Sequence, residues 1–500
     1  MGTTIILDPV TRIEGHLRID TRVENGTVTE AWSRGEMFRG FEVFLAGRDP
    51  FDAPVITQRI CGVCPVSHAV AACRAVESAL GIPVPRNGQL LRSLVLGANY
   101  LQSHVLHFYQ LSALDFVNVA ALLEYDGKDP VLRELKAWAQ GEVSSGKILP
   151  AAPFLPQMPG KYSADPKWNL AALSHYVEAL EVRQEAHQMA ALFGGKMPHT
   201  ASLIPGGVTT GVEPEAVEDC RTRLRRVRRF IENVYLGDVL AAARLFPEYG
   251  LIGGGVPRFL SYGVFEEGDR DWLPSGVVED GKLSTLDTGR ISEQVASSKY
   301  AGSGGQHPLV GETRPEPHKS GAYSWLKAPR YGGAAYEVGP LARIVVAAAA
   351  GHPEVTATLN GFLADTGLEQ KVLFSALGRH AARALEALLV AQRMETWLDR
   401  LEVGAASVGA YTPKPNGDGE GLTEAPRGAL GHWTQVRDGK IARYQAVVPS
   451  TWNFSPRGDR GDPGPVETAL LGTPVDEQGQ GLEVARVVRS FDPCIACAVH

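Results

Sequence analysis

Two Cys-x-x-Cys pairs carry the most specific chemistry that this sequence can support: Cys61 with Cys64, and Cys494 with Cys497. Thiolates are soft ligands, and the short spacer lets both sulfurs of a pair turn toward one ion with backbone amides nearby. Four such ligands suit zinc, an iron-sulfur cluster or nickel. The least specific interpretation is a structural zinc site with four cysteine ligands.

The positions of the two pairs favour a catalytic metal. Structural zinc knuckles usually lie in small local loops, whereas these pairs lie near opposite ends of a 500-residue chain. Bringing them together requires the whole fold, so we expect a buried site that can keep one coordination position open. The remaining cysteines, Cys73 and Cys220, match no ligand pattern and are expected to be structural.

Helices are expected to form most of the scaffold around these cysteines. Gly194-Gly195 is expected to end the second long helix and Pro214 to begin the third. Apolar residues recur at helical spacing in four segments, which can pack as a bundle: about 90–126, 168–193, 213–246 and 368–401.

Two β-hairpins are predicted outside the helices. Residues 4–33 alternate apolar and polar side chains around Asn25-Gly26, which supplies the positive φ angles of a tight turn. A Gly/Pro-rich loop is predicted over 404–428. It leads into a second hairpin over 432–448, which turns at Asp438-Gly439.

The predicted fold class is α+β, mainly α, with a core of long helices, peripheral hairpins and cysteine pairs from both ends meeting at a buried metal site. Residues 1–500 are interpreted as one interdependent domain. Within it, 1–60 are expected to be rich in β-structure, 250–335 to form irregular surface excursions with short strands, and 404–500 to end in the metal-binding part.

Composition and charge restrict the class of partner. The formal net charge is -7, with acidic and basic residues mixed along the chain, which argues against nucleic-acid binding and against a polybasic membrane patch. No apolar stretch approaches the roughly 18 to 20 residues that cross a bilayer, and residues 1–10 lack the pattern of a signal peptide. We therefore expect a soluble chain that does not direct its own export and that acts on small or neutral substrates.

The flanks of the cysteines resemble a known family. Residues 59–64, Arg-Ile-Cys-Gly-Val-Cys, and 492–500, Asp-Pro-Cys-Ile-Ala-Cys-Ala-Val-His, are similar to the two signatures of nickel-iron hydrogenase large subunits. Further similarity lies at 8–16, 104–109 and 444–453, so the resemblance covers nearly the full chain. By this resemblance the chain is the catalytic subunit of an enzyme that interconverts H2 with protons and electrons, here expected to work in the direction of H2 uptake.

The resemblance implies a bimetallic centre. All four cysteines would bind nickel, and Cys64 and Cys497 would also bridge to an iron carrying one CO and two cyanide ligands. Heterolytic cleavage of H2 yields a hydride and a proton, so the site needs a metal and a nearby base. Glu14 is expected to carry the proton outward, with Cys497 as its neighbouring sulfur. From the residues alone, Glu14 could instead form a salt bridge with Arg12 or Arg18.

Other implied residues surround this centre. Arg427, which follows Pro426, would lie over the open coordination position, and Asp492 would orient its guanidinium by paired hydrogen bonds. Ser450 would donate a hydrogen bond to a cyanide nitrogen. His68, one helical turn after Cys64, would donate to a bridging sulfur.

A second metal site is implied near the carboxyl terminus. The family holds Mg there through residues matching Glu42, the terminal His500 and the backbone carbonyl of Ala446. His104 and His107, which share one face of a predicted helix, are instead expected to be core histidines with hydrogen-bond partners.

The four ligand cysteines leave none for an iron-sulfur chain, so electrons need a partner. The resemblance implies a heterodimer with a small subunit that carries Fe-S clusters and, through it, a membrane electron acceptor. A maturation endopeptidase and Ni-insertion factors are also implied, and a chain ending at His500 resembles the processed form. Export with the small subunit would make the complex periplasmic or membrane-associated; a cytoplasmic complex is the alternative.

One departure and two rival interpretations remain. Ser103 stands where many oxygen-handling relatives have an aspartate that contacts the active-site arginine. The first rival is the quinone-site subunit of respiratory complex I, which resembles the fold but lacks the four thiolates. The second is a non-catalytic protein with structural zinc, which would leave Glu14, Arg427 and His500 without a shared purpose.

Overall fold

A computed structural model of the chain describes residues 2–145, 157–302, 304–476 and 480–500. Its strands form antiparallel sheets of two or three strands, each built from neighbours in sequence. The strands are β1 Thr3–Leu7, β2 Leu17–Glu24, β3 Thr27–Gly35, β4 Leu203–Ile204, β5 Gly207–Val208, β6 Arg258–Glu267, β7 Arg270–Glu279, β8 Lys282–Ser284, β9 Ile291–Gln294, β10 Ala328–Tyr331, β11 Gly417–Ala425, β12 Gly428–Arg437 and β13 Lys440–Val447.

Helices contribute more of the described chain than strands do, and the long ones pack around the main apolar core. Among the described residues, none of them combines the length and apolar character that a membrane crossing requires. The helices are α1 Phe41–Leu45, α2 Ala53–Thr57, α3 Pro65–Leu80, α4 Arg86–Leu106, α5 Pro130–Ser145, α6 Pro166–Gly194, α7 Pro214–Phe230, α8 Leu236–Leu245, α9 Pro340–Ala349, α10 Pro353–Thr366, α11 Ala376–Asp399, α12 Pro449–Asn453, α13 Pro465–Leu470, α14 Leu482–Ser490 and α15 Ile495–Ala498.

The four predicted long helices correspond to α4, α6, α7 continuing into α8, and α11, and they pack against one another. Gly195 ends α6 and Pro214 begins α7, as predicted. The expected continuation of the first helix to 126 is wrong: α4 ends at Leu106, a π-helical segment continues it to Ser112, and short 3-10 turns follow. Apolar side chains such as Phe116 stay buried in these turns, so their spacing imitates a helix.

The amino-terminal hairpin is formed by β2 and β3, which turn at Asn25 and Gly26 with φ angles of 51° and 70°. Strand β1 adds to the edge of β2, and the residues between them bend away from the sheet. The second predicted hairpin is also present, since β12 and β13 turn at Asp438-Gly439. Both turns have the sequence that this geometry requires.

The loop predicted over 404–428 is wrong in its second half, where β11 pairs with β12. Every other residue at the start of β11 is glycine, and these glycines lie against helix α3. A Cβ on Gly419 would lie 2.2 Å from the backbone oxygen of Ala75, and one on Gly421 would lie 2.0 Å from that of Ala71. The glycines therefore permit close contact between a strand and a helix. In the sequence, the same run of glycines has the composition of a flexible loop.

Residues 250–335 are less peripheral than expected. Strands β6 and β7 are long, and Leu260 and Val264 of β6 are fully buried against the core. Charged residues at the ends of these strands account for the polar character of this part of the sequence. The described residues between β9 and β10 have irregular structure, with isolated bridges in place of strands.

The contact between α3 and β11 can be tested with a pair of glycine substitutions. Gly419→Ala should lower the free energy of unfolding by about 2 kcal/mol, because its Cβ meets backbone that cannot move without separating the strand from the helix. Gly361→Ala is the matched control, because Gly361 lies at a solvent-exposed position in the middle of α10 and nothing is within 4 Å of an added Cβ. This substitution should raise the free energy of unfolding by up to about 1 kcal/mol. Chemical denaturation measures both. Equal effects would contradict the assigned role of Gly419.

Candidate metal centre

The four cysteines of the two pairs meet in one buried cluster, with all sulfur atoms within 4.8 Å of one another. The sulfur of Cys61 lies 3.4 Å from that of Cys494, and the sulfur of Cys64 lies 3.5 Å from that of Cys497. Cys64 and Cys494 each precede the first residue of a helix, α3 and α15. The predicted convergence of the two chain ends at a buried site is confirmed.

Backbone pairing and one arginine hold the two cysteine segments together. The backbone oxygen of Glu14 accepts a hydrogen bond from the Ile495 N–H at 2.7 Å, so the amino-terminal segment runs beside Cys494. The Arg39 guanidinium donates to the backbone oxygens of Ile60, Arg59 and Ala496, the last at 3.1 Å. Arg39 therefore bridges the two pairs, and the sequence analysis did not single it out.

A second arginine fixes the segment that carries Glu14. Arg489 donates to the backbone oxygen of Thr11 at 2.9 Å and contacts both carboxylate oxygens of Asp115 at 2.8 Å. Arg12 binds the same carboxylate. Asp115 thus ties helix α14 to the amino-terminal segment through charge-assisted hydrogen bonds.

The donor set fits a soft metal cation. Burial raises the pKa of the Cys494 and Cys497 thiols, whereas the hydrogen bond from Cys494 holds the pKa of Cys61 well below its usual range. Four sulfurs at this spacing cannot all be thiolates in a buried site unless a cation neutralises them. A thiophilic metal supplies that charge and deprotonates its ligands.

Arg427 lies close enough to this cluster to interact with its charge: although burial opposes it, the charge of Asp492, and after it that of Cys494, raises the pKa of the guanidinium. Its Nη2 is 3.0 Å from one Asp492 carboxylate oxygen, and its Nε donates to the Asp492 backbone oxygen at 3.1 Å. Asp492 therefore contacts the guanidinium through two groups: its backbone is left-handed, with φ 59°, and one of the two contacts goes to its carbonyl instead of its carboxylate. The buried Nη1 of Arg427 has no hydrogen-bond partner among the described residues.

Buried neighbours support the Arg427 segment. Arg343 donates to the backbone oxygen of Pro426 at 2.9 Å while forming two contacts of 2.6 Å with the Glu386 carboxylate. Ser103 is fully buried, and its hydroxyl makes no hydrogen bond to any described residue. Among the described ion pairs, Arg427 pairs with one carboxylate, that of Asp492.

Glu14 reaches the cluster, but at a different sulfur from the one expected. Its carboxylate oxygen lies 3.3 Å from the Cys494 sulfur and accepts the Ala496 N–H at 3.1 Å. The expectation that Cys497 neighbours Glu14 is wrong, because the backbone pairing places Glu14 alongside Cys494. Burial raises the pKa of Glu14, and the charge of Cys61 adds to the effect.

The alternative salt bridges for Glu14 are absent from the described contacts. Arg12 binds Asp115, and Arg18 binds Asp20 and Asp8. The Glu14 carboxylate is therefore directed at the sulfur cluster instead of at a cation on its own segment.

His68 and Ser450 contact the two carboxyl-terminal cysteines. The His68 Nε2 is 3.5 Å from the Cys497 sulfur, and the Ser450 hydroxyl accepts the Cys494 N–H at 2.9 Å. His104 and His107 are buried with partners, as expected: His104 contacts the Glu386 carboxylate at 2.7 Å, and His107 contacts the backbone oxygen of Arg489 at 2.6 Å.

Glu42 and His500 meet in a second buried polar cluster. The His500 Nε2 lies 3.2 Å from Glu42 Oε1, and the same oxygen accepts the Ala446 N–H at 2.8 Å. Lys327 lies 3.0 Å from Glu42 Oε2 and 3.1 Å from Glu293. Although burial opposes it, the charge of Lys327 lowers the pKa of Glu42. Ala446 therefore contacts Glu42 through its N–H, whereas its carbonyl was expected to take part in this site.

Comparison with known families decides what this arrangement is. A description of the nickel-dependent hydrogenase family matches residues 39–500, and residues 4–33 match a HoxL-like description. The chain belongs to the nickel-dependent hydrogenase family. It is an oxidoreductase of the nickel-iron hydrogenase class, and its buried four-cysteine cluster fits the metal site of that class.

Relatives of known kind extend along the whole hydrogenase chain. The quinone-reactive Ni/Fe-hydrogenase large chain of Wolinella succinogenes is 39% identical over 100% of this chain and 96% of its own length. The periplasmic [NiFeSe] hydrogenase large subunit of Desulfomicrobium baculatum is 40% identical over 99% and 94%. The solved structure of the reduced Ni-Fe-Se hydrogenase from D. vulgaris Hildenborough has a TM-score of 0.89 and 41% identity, with 100% of both chains covered.

These matches exclude both rival interpretations for this hydrogenase chain. The family description is of a nickel-dependent enzyme, which argues against structural zinc, and the relatives are hydrogenases and not complex I subunits. Three further side chains contact predicted site residues or their segments and were not predicted from the sequence: Arg39, Lys327 and His432. A lone charged or imidazole side chain carries no local spacing signal, so only the fold reveals these contacts.

Metal analysis of cysteine variants tests the centre. Cys61→Ala removes one of four clustered sulfurs and should abolish incorporation of nickel, because the remaining ligands cannot complete the site. Cys73→Ala is the matched control, since Cys73 is equally buried, on helix α3, but lies outside the cluster. Inductively coupled plasma mass spectrometry of the purified proteins measures the effect. Normal nickel in Cys61→Ala would remove Cys61 from the ligand set.

Proposed function

We propose that this chain is the catalytic subunit of a nickel-iron hydrogenase that splits H2 heterolytically, mainly in the uptake direction. The observation that carries the proposal is the Glu14 carboxylate 3.3 Å from one of four clustered sulfurs, with the Arg427 guanidinium beside the same cluster. The bound metals would be nickel and an iron carrying one CO and two cyanide ligands. When bound, they supply acceptors for the electron pair of H2.

The residues of the chain would manage the proton. The sulfur of Cys494 is the base nearest to Glu14, and it would pass the proton of H2 to the Glu14 carboxylate. Burial raises the pKa of Glu14, so its carboxyl group can hold a proton more readily than an exposed one. Cleavage of one H2 would thus release two protons and two electrons, with Cys494 and not Cys497 as the first sulfur of the path.

Other side chains would hold the reacting atoms in place. Cys61, Cys64, Cys494 and Cys497 would bind nickel, with Cys64 and Cys497 shared with iron. Arg427, held by Asp492, would direct its unpartnered Nη1 toward the open coordination position. Pro426 and the Ser450 hydroxyl would contact the diatomic ligands of iron, the hydroxyl by donating to a cyanide nitrogen.

The second cluster would hold magnesium through Glu42, His500 and the carbonyl of Ala446. A carboxylate and a carbonyl suit a hard cation that keeps several waters. Lys327, which contacts Glu42 Oε2, would then pair with Glu293 alone. This ion would tie the carboxyl terminus to α1.

A small subunit with Fe-S clusters would take the electrons, as the names "large chain" and "large subunit" of the relatives imply. Exposed apolar side chains lie on the segments that lead into Cys61, which suits a partner close to the metal centre: Met37, Val43, Phe44 and Val55. One relative is named quinone-reactive, and a quinone acceptor favours H2 as electron donor. Another is named periplasmic, which favours a periplasmic or membrane-associated complex.

The relay is tested by Glu14→Gln in the purified complex. The variant keeps the shape of the side chain but cannot accept a proton as a carboxylate does, so H2 oxidation should fall by about 10²-fold or more. Its nickel and iron content should equal that of the parent protein, because Glu14 is not a ligand. Dye-linked H2 oxidation and metal analysis measure the two effects.

A buried carboxylate elsewhere controls for Glu14. Glu467 binds the Ser33 N–H and the Tyr323 hydroxyl, and burial raises its pKa to about 7. Glu467→Gln should leave H2 oxidation at the parental rate. Parental activity in Glu14→Gln would remove Glu14 from the proton path.

The second site is tested by Glu42→Gln. Loss of the carboxylate charge should release magnesium from the complex while nickel and iron stay at parental levels, because Glu42 lies in the cluster of His500 and not among the cysteines. Metal analysis after gel filtration measures all three ions. Parental magnesium in this variant would contradict the assignment of Glu42 as its ligand.

A further inference from the structure

A chain of buried side chains leads away from Cys497 through two histidines to a tyrosine. The His68 Nε2 lies 3.5 Å from the Cys497 sulfur, and the His68 Nδ1 lies 3.3 Å from the His432 Nε2. The His432 Nδ1 lies 2.7 Å from the Tyr444 hydroxyl. All three side chains are buried, and they connect α3 with the adjacent strands β12 and β13.

The order of donors along this chain follows from its end at the sulfur. A metal-bound thiolate can only accept a hydrogen bond, so the His68 Nε2 must donate to Cys497. A neutral imidazole has one N–H, which leaves the His68 Nδ1 as an acceptor for the His432 Nε2–H. The His432 Nδ1 then has no hydrogen and must accept a hydrogen bond. The Tyr444 hydroxyl donates it.

The surroundings favour neutral rings. The ring contacts recorded for His68 and His432 go to sulfur, imidazole and phenol, with no carboxylate among the described partners. Burial and the neighbouring His68 hold the pKa of His432 well below its usual range. One proton on each ring satisfies all the recorded contacts, and the position of that proton is set by the neighbouring group.

The chain ends inside the protein. Tyr444 belongs to an apolar cluster with Val76, Val436 and Ile441, and its side chain is almost wholly buried. No solvent-exposed acceptor follows it among the described contacts, which argues against a path that carries protons to solvent. The arrangement is suited to a fixed pattern of hydrogen bonds.

We propose that His432 and Tyr444 are positioning residues that lock His68 in the tautomer that donates to Cys497, and so withdraw electron density from that sulfur. The effect on the metals rests on the proposed function, in which Cys497 bridges nickel and iron. Neither His432 nor Tyr444 touches a reacting atom. They act through His68, as the partners of metal-bound ligands commonly do.

Infrared spectroscopy of the purified large–small complex tests the proposal, because CO bound to iron reports the electron density supplied by the bridging sulfurs. Tyr444→Phe removes one oxygen from the far end of the chain. It should shift the CO band to lower wavenumber, since a weaker hydrogen bond leaves Cys497 richer in electrons and increases donation from iron into CO. His68→Ala should shift the band further in the same direction.

The double variant separates this effect from a general change in structure. When His68 is already alanine, adding Tyr444→Phe should produce no further shift, because the hydrogen-bonded path from Tyr444 to the sulfur that the described residues form has been removed. Tyr109→Phe is the matched control: its hydroxyl is equally buried and donates to Asp238 at 2.7 Å, but it has no recorded contact with the cysteines. It should leave the CO band at the parental position.

His432 variants provide an independent measurement. His432→Leu breaks the chain and should shift the band as Tyr444→Phe does, whereas His432→Gln keeps an N–H for His68 and should restore most of the parental position. An unshifted band in Tyr444→Phe and His432→Leu, or a Tyr444→Phe shift that persists in the His68→Ala background, would overturn the inference. Absence of CO and cyanide bands in the active parent complex would instead overturn the proposed iron centre.

Discussion

Four sulfur atoms within 4.8 Å of one another, buried inside the protein, are the constraint on which the rest of the structure depends. Thiolates at that spacing repel one another strongly in a low-dielectric interior, so the site is stable as a fully deprotonated set only around a cation. The two pairs also come from positions 433 residues apart in the chain, Cys61 and Cys494. The fold must therefore bring both ends together before the metal site exists.

Arginines that donate to backbone oxygens explain how this convergence is held. Arg39 donates to backbone oxygens on both cysteine segments, and Arg489 with Asp115 anchors the segment that carries Glu14. Backbone acceptors fix position without adding negative charge near the sulfurs, and the guanidinium geometry allows several bonds from one side chain. Arg427 uses the same chemistry with Asp492. These contacts explain why a catalytic site can be built from short segments that have little regular structure of their own.

Features with a local signal could be predicted from the sequence. The Asn25-Gly26 turn, Gly195 at the end of α6 and Pro214 at the start of α7 depend on backbone properties of single residues, and the structure contains all three. The cysteine pairs predicted a soft-metal site because their residue type and spacing are also visible locally in the sequence. The resemblance then pointed to the nickel-iron class, which the family match bears out.

Features that depend on distant contacts could not be predicted. The glycines of β11 suggested a loop because their partner, helix α3, is more than 300 residues away in the chain. Glu14 was assigned to Cys497, since only the backbone bridge shows that Cys494 is adjacent. Lys327 and His432 carry no pattern at all. Their roles follow from which strands and helices pack around Glu42 and His68.

Anomalous X-ray diffraction from crystals of the large–small complex is the most direct test of the metal centre. Data collected on either side of the nickel and iron absorption edges would locate each element independently. We expect one nickel peak among the sulfurs of Cys61, Cys64, Cys494 and Cys497, and one iron peak beside Cys64 and Cys497. A zinc peak alone, or several iron peaks without nickel at this position, would contradict this expectation.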